Sequence, residues 1–372
     1  MRKPNFDRLT QVLYLEGEPD FIPFYELFAD REIMNVVVGE TVPSISIKTN
    51  EDIKRYFQAL ANYKTELKLA VKFYFKLGYD YVPLSVPSLL YRDNIRLSVD
   101  VAGLPRPIRT WQDENRGVIE TREDFEKYPW PDTDTIQEIF LPMYDFLKKR
   151  LPDNMMIMGG TAGGVLENVM WLMGAVPFFR ALYKDPSLIR DMFEKIGIIL
   201  SFCCDLVTDL DMVGALHMGD DMGYKKGPMM SPVNFRKYVF PWQKRCVDIT
   251  HKHGKPFILH TCGKLDLLMD DLIDYVGIDA KQSYEDSSYP VTEYKKKYGQ
   301  KIAILGGIDM DKLARASLDD FKLYVKDRIQ ECAPGGGYAL GCGNTVANYV
   351  KLENYLTMLE IGRKYGRYPL KN

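Results

Sequence analysis

Short apolar runs alternate with longer amphipathic stretches along nearly the whole chain. Eight runs read as strands: FIPFY (21–25), DYVPLSV (80–86), MMIMGG (155–160), VGALHMG (213–219), PFILH (256–260), GIDAKQS (277–283), IAILGG (302–307) and YALGC (338–342). Nearly all are followed at once by Gly, Pro or a polar residue, the punctuation of strand ends. Helical patterns fill the later gaps at 231–252, 264–275, 290–298 and 317–332, and another closes the chain at 350–365. The first of these opens with Ser231-Pro232, an N-cap followed by proline at the first helical position. Strand–helix alternation of this kind predicts a parallel α/β architecture. Eight strands predict a (β/α)₈ barrel, one domain over residues 1–372, with an N-terminal helical extension. An open doubly wound sheet is the alternative. The stretch 87–131, with LPRPIRTW and YPWPD, is rich in proline and aromatics. It reads as an insertion or lid beside the barrel mouth.

Composition narrows the class of function. Of 372 residues, 49 are basic and 51 acidic, a formal net charge of -2. A nucleic-acid binder usually carries a basic excess, so none is expected as a partner. The start, MRKPNFDRLTQV, has charges but no apolar core of a signal peptide. No apolar run approaches the ~20 residues that span a bilayer. A cytoplasmic protein without membrane contact is therefore expected. In that setting the six cysteines are core residues, metal ligands or nucleophiles rather than disulfides. Cys203, Cys204 and Cys246 fall inside helical patterns, and Cys332 precedes a Gly-rich loop; all four read as small buried hydrophobes.

Barrel chemistry sits at the C-terminal ends of the strands. Residues just after each run should therefore converge on one cavity: Tyr25 and Glu26, Ser85, Thr161, Asp220 and Asp221, His260 and Cys262, Glu285, Asp309, and Cys342 with Asn344. His260 and Cys262, two apart on a strand, point to one side and can offer nitrogen and sulfur to one ion. Cys342 ends the last strand and Glu285 follows the next strand after His260. Their softness and number suit Zn²⁺. A core cysteine and a chance His-x-Cys are the competing reading. Two thiolates and a carboxylate would leave zinc a poor Lewis acid for water. Such a site better holds a sulfur as thiolate, which favours alkyl transfer over hydrolysis.

The other candidates divide. Asp220, Asp221 and Glu26 could act as acid, base or substrate contacts, although aspartates ahead of Gly223 also suit a turn. Tyr25, Asp309 and Asn344 are candidate substrate contacts. His217 reads as a core histidine, and His251 and His253 as helix-end residues. PGGGY (334–338) lacks the Lys-Ser/Thr of a phosphate loop and precedes a strand.

The stretches GDDMGYKKGPMMSPVNFRKYVFP (219–241), HGKPFILHTCGK (253–264), LGGIDM (305–310) and PGGGYALGCGN (334–344) resemble, in order and spacing, the uroporphyrinogen decarboxylase-like superfamily. FIPFYELF (21–28) fits its first strand. The Arg-rich MRQAGRY motif of the decarboxylase itself is missing; ADREIMNVVVGE (29–40) stands there, with Arg31 alone. The resemblance disfavours porphyrinogen decarboxylation and points to the cobamide-dependent methyltransferases. Their His-x-Cys…Cys zinc motif is matched by His260, Cys262 and Cys342, and Glu285 falls about where the distant cobalamin-independent methionine synthases carry a carboxylate ligand. It implies a zinc enzyme moving a methyl group between a methylcobamide on a separate corrinoid protein and a small thiol, folate, or O- or N-methyl compound. The 87–131 segment and the Asp220-Asp221 pair depart from the coenzyme M enzymes and leave a thiol acceptor open. A metal-free lyase and a non-catalytic tetrapyrrole- or corrinoid-binding protein are the alternatives. A homodimer is one of the oligomeric states left open.

Overall fold

The computed structural model describes residues 2–42, 63–106 and 109–370. Eleven strands occur among them: β1 (Tyr81–Val86), β2 (Ile95–Ser98), β3 (Arg109–Gln112), β4 (Met156–Thr161), β5 (Val213–Gly219), β6 (Gly223–Tyr224), β7 (Gly227–Pro228), β8 (Phe257–His260), β9 (Ala280–Gln282), β10 (Ala303–Leu305) and β11 (Tyr338–Ala339). Seven form one curled parallel sheet in the order β1-β4-β5-β8-β9-β10-β11. These seven fall on seven of the eight apolar runs. Helices pack in the gaps, as burial on both faces of a parallel sheet requires. The longest, Pro186–Thr208, lies between β4 and β5 in the chain and buries Leu188, Phe193, Ile196 and Leu200. Among the described residues no single helix is long and apolar enough to cross a membrane.

The eighth run only partly joins the sheet, so the expected closed barrel is barrel-like but open along one seam. Phe24 bridges Leu340 in parallel register. The Tyr25 N–H donates to the Leu340 carbonyl at 2.9 Å, and the Leu340 N–H to the Pro23 carbonyl at 2.9 Å. Between residues 21–26 and β1, no backbone ladder forms among the described residues. Aromatic rings fill that seam instead: Tyr25 lies 5.8 Å from Tyr81, and Phe24 5.8 Å from Tyr79. The Tyr81 hydroxyl takes the place of a neighbouring backbone. It donates to the Glu26 carbonyl at 2.6 Å and accepts the Glu26 N–H at 2.7 Å. Rings this wide hold the two segments too far apart to pair directly, and one phenol satisfies both polar groups of a buried residue.

The 87–131 insertion, of which residues 107–108 lie outside the described residues, is a hairpin followed by a short helix. β2 and β3 pair antiparallel, Ile95 opposite Gln112. The hairpin is tied to helix Val165–Met173: the side chains of Asn94 and Gln112 donate to the Trp171 carbonyl at 3.0 and 2.9 Å. It is thus anchored to the last turn of that helix, and Gln112 shares a cavity wall with Asp221, just past β5.

Replacing Tyr81 with Phe would keep the ring packing but orphan a buried N–H and a buried C=O. We expect a loss of about 1–3 kcal/mol for each orphaned group, seen as a lower urea midpoint. A midpoint unchanged from wild type would mean that the seam does not rest on this hydroxyl.

Candidate functional site

Parallel register sets the site. β8 and β9 align His260 with Gln282, and β5 and β8 align Gly219 with His260. The turns after β5 and β8 therefore emerge side by side. The Cys262 N–H donates to Asp221 Oδ1 at 2.8 Å, which locks the two turns together. His260 Nε2 lies 3.6 Å from Cys262 Sγ and 3.7 Å from Asp221 Oδ1. The ligand atoms of these three residues all lie within 4.8 Å of one another, and among the described residues no other such group forms.

The histidine's tautomer follows from its neighbour. Gln282 donates through Nε2 to the Cys342 carbonyl at 3.2 Å and the Asn344 carbonyl at 2.8 Å. Its Oε1 is thereby turned to His260 Nδ1, with which it hydrogen-bonds. An amide oxygen can only accept, so Nδ1 carries the proton and Nε2 presents a lone pair. Burial pushes the His260 imidazolium down, which keeps the ring neutral. Cys262 Sγ accepts from Asn344 Nδ2 at 3.3 Å and from the Ser283 hydroxyl at 3.4 Å. Burial, and then the Asp221 carboxylate, push that thiol up. An imidazole lone pair, a carboxylate and a sulfur thus face one another, each an electron-pair donor. A cation between them resolves that arrangement. Tetrahedral zinc with bonds of about 2.0–2.3 Å sets its ligands roughly 3.5 Å apart, close to the two separations seen. The residues fit a divalent metal, and the hydrogen bond at Nδ1 is the usual outer support of a ligating histidine.

The other two expected ligands lie outside this group. Cys342 is fully buried; its N–H donates to Glu26 Oε1 at 2.9 Å, and burial, then the Glu26 carboxyl, push its thiol up. Glu285 is held in its own turn, accepting from the Ser288 hydroxyl at 3.3 Å. Glu26 has no exposure at all, and burial pushes its carboxyl up to about 8, so it stands protonated at neutral pH beneath the mouth. Tyr25 is enclosed in the seam, not at the mouth. Asp309 caps helix Met310–Arg315 through the N–H groups of Asp311 and Lys312, and also accepts from the Asp286 N–H. Asn344 is the member of the expected substrate set that lines the main cavity.

The adjacent aspartates separate as strand alternation requires. Asp220 is fully buried against Gly164, where a Cβ would lie 2.2 Å from the aspartate's own Cβ. It accepts from the Val165 and Glu167 N–H groups at 3.0 and 2.9 Å and from Gln243 Nε2 at 2.7 Å. It is a cap for helix Val165–Met173, supplied from another strand. Burial pushes it up to about 6. Asp221 turns to the smaller of two cavities.

Two cavities meet at that helix. The larger, about 450 Å³, is lined by Ser85, Thr161, Trp171, His217, His260 and Asn344 among others. The smaller, about 190 Å³, lies against Glu114, Glu167, Met170, Trp171, Asp221 and Met229. Glu167 and Trp171 line both. His217, expected in the core, faces the larger cavity because Gly160 leaves room: a Cβ there would lie 2.4 Å from His217 Nε2. Burial pushes His217 down to about 4, so it is a neutral ring. Sequence reasoning passed over Glu167, Trp171 and Gln282, and placed His217 in the core rather than at a cavity. The Gln282 position could have been read from alternation, since it shares a face with Ala280 at the end of a strand beside β8. Glu167 and Trp171 sit one helical turn apart past β4, a face visible only once that helix is placed at the mouth. Lys281, also missed, is fully buried, donates to the Ser283 carbonyl at 2.6 Å and is pushed down to about 7 by burial.

The two aspartates should respond differently to loss of charge. Asp220→Ala removes a buried cap and should cost about 1–3 kcal/mol of stability; Asp221→Asn should leave the denaturation midpoint nearly unchanged. Equal losses in chemical denaturation would contradict this division of labour.

Comparison with known proteins agrees with this architecture. The chain superposes on a methyltransferase from Methanosarcina mazei with a TM-score of 0.67 at 15% identity, over 98% of this chain and 99% of that chain. It also matches a putative vitamin-B12 independent methionine synthase from Listeria monocytogenes, TM-score 0.50 and 15% identity, over 93% of this chain and 99% of that chain. No curated protein matches the chain in sequence. The family model for uroporphyrinogen decarboxylase (URO-D) matches residues 114–365, a span that takes in β4 through β11, both aspartates, His260 and Cys262. The chain belongs to the URO-D family.

Proposed function

We propose that this chain is a zinc-dependent methyltransferase that moves a methyl group between a corrinoid protein and a small methyl donor or acceptor. The observation that carries the reading is the convergence of His260 Nε2, Cys262 Sγ and Asp221 Oδ1, with His260 on the wall of the cavity of about 450 Å³ and Asp221 on that of the smaller one. The likeness to a solved methyltransferase supports it at the level of the fold. His260 and Cys262 would hold the metal, with Asp221 as the carboxylate already presented to it and Cys342 as the thiol that could turn from Glu26 to complete the set. Zinc bound there would supply a site for a substrate heteroatom and hold a sulfur ligand deprotonated. The chain's own part is to keep the ligand geometry fixed through Gln282, to donate hydrogen bonds from Asn344 and Ser283 to the Cys262 sulfur, and to line a cavity for the methyl compound.

Decarboxylation of a porphyrinogen fits this site poorly. A substrate bearing several carboxylates needs cations around it. The described linings of both cavities carry carboxylates and neutral groups and no Lys or Arg.

Protein purified without added metal should contain about one zinc per chain. His260→Ala and Cys262→Ser should each abolish it, and Gln282→Leu should weaken zinc binding about 10–100-fold through loss of the Nδ1 partner. Asp221→Asn and Cys342→Ser, compared side by side, identify which supplies the further ligand. Zinc-replete protein should demethylate methylcob(III)alamin in the presence of a suitable acceptor. Full zinc retained in Cys262→Ser, or none bound by wild type when supplied, would sink the proposal.

A further inference from the structure

The smaller cavity has an unusual wall. Three carboxylates line it, from Glu114, Glu167 and Asp221, together with the Trp171 indole and the thioethers of Met170 and Met229. Among its described lining residues there is no Lys or Arg. The Arg92 guanidinium lies 4.5 Å from the Trp171 ring centroid, stacked over that ring. Glu167 and Trp171 are four residues apart on one helix and so share a face. Glu167 Oε2 lies close beside Gly219, 3.8 Å from where a Cβ would stand, as does the His260 ring.

We propose that this cavity binds the head of a methylated ammonium compound, which makes a methylated amine the small substrate of the site. The inference rests on the methyltransferase reading for the word substrate, not for the binding itself. Three classes of occupant can be compared. An anion would meet three carboxylates and no Lys or Arg among the described lining residues. A hard metal ion needs oxygens that converge, yet Glu114 and Glu167 belong to no metal-sized group; only Asp221 does, with His260 and Cys262. A methylated ammonium ion spreads its charge over a large, weakly hydrated surface. It gains from an aromatic ring, from polarisable sulfur and from carboxylates set further off, without requiring any of them to converge on a point. The volume of about 190 Å³ holds a group several water molecules in size, larger than any bare ion.

Position adds to the chemistry. Asp221 belongs both to this wall and to the metal-sized group, so a methyl group on a cation seated here would lie beside His260 and Cys262. Beyond Glu167 and Trp171 the larger cavity offers polar partners for the rest of the molecule. Its His217 is 5% exposed, and Nδ1 of that ring has no hydrogen-bond partner. Ser85 and Thr161 add hydroxyls.

Titration calorimetry on the zinc-replete protein tests this, with tetramethylammonium chloride as the probe, tert-butanol as a neutral shape control and ethanesulfonate, which has no thiol to bind zinc, as an anion. Tetramethylammonium should bind, at least tenfold more tightly than either control. Glu167→Gln and Trp171→Leu should each weaken it tenfold or more. Because Glu167 lies beside the Asp220 cap, thermal melts accompany each variant. If Glu167→Gln does not fold, Glu114→Gln on the insertion takes its place, with at least a threefold loss expected. The sulfonate binding as well as the cation, or cation affinity unchanged in the folded carboxylate variant, overturns the proposal. Cys262→Ser separates it from the metal reading. Cation binding retained there while zinc is lost supports a site built by the wall alone, and cation binding lost there overturns it. Wild type that binds tetramethylammonium but no zinc would keep the ammonium site and remove the zinc enzyme.

Discussion

The buried side-chain amide of Gln282 is the joint on which both halves of the site hang. It has one acceptor and two donors, and all are used: the oxygen on His260 Nδ1, the nitrogen on the carbonyls of Cys342 and Asn344. Because Gln282 is fully buried, turning the amide over would set its NH₂ against an N–H and its oxygen against two carbonyls, a cost of several unmade hydrogen bonds. The network therefore has one sense. That sense fixes the tautomer of His260, aims its lone pair at Asp221 and Cys262, and holds the 342–344 turn where Asn344 can reach the cysteine sulfur. A hydrogen bond made at the end of one strand decides the chemistry at the end of two others.

The sheet supplies the rest of the constraint. Parallel strands emerge at one end together, so the turns after β5, β8, β9 and β11 are neighbours without any long loop to bring them there. Where the ladder is interrupted, side chains take over. Tyr81 replaces a strand partner for Glu26, and Asp220 replaces a local N-cap for helix Val165–Met173. Both substitutions use a buried polar side chain from a different element. That couples the helix carrying Glu167 and Trp171 to the strand that carries Asp221. The cavities and the metal-sized group are thus built on one rigid unit, which is what a site needs if a methyl group is to be held in line with its acceptor.

How far this was legible in the sequence varies by residue. Strands are the clearest part, because burial on both faces makes them short apolar runs with abrupt polar ends. His260 and Cys262 are legible for the same reason: they follow directly on such a run at strand spacing. The seam is not legible. FIPFY reads like any other strand, and nothing in it says that Tyr81 will stand where a backbone ladder should. The Asp220-Asp221 pair shows the limit most clearly. Alternation says that the two diverge, but not which one turns inward; that depends on Gly164, which lies 56 residues earlier and leaves space for the Asp220 carboxyl to reach a helix end. Asp309 was drawn toward the cavity by its strand-end position, while the stronger local fact was the helix starting at Met310, whose N–H groups an aspartate caps.

The distribution of charge carries the argument from fold to chemistry. With 49 basic and 51 acidic residues the chain is close to neutral, so the acidic wall around Glu114, Glu167 and Asp221 is a local choice rather than a reflection of composition. Packing carboxylates together against apolar surface is costly, and it shows: burial, then Asp221 and Asp220, push Glu167 well up. Lys281 makes no ion pair with these carboxylates: its ammonium donates to the Thr261 and Ser283 carbonyls at 3.3 and 2.6 Å and lies 4.3 and 5.0 Å from the rings of Tyr284 and Tyr294. A fold keeps such an arrangement where a positive charge arrives from outside. In the proposed reading, the metal-sized group takes one such charge at His260 and Cys262, and the wall of Trp171, methionines and carboxylates takes a second and softer one beside it. The two differ in the kind of cation that satisfies them, and Asp221 is the residue that faces both.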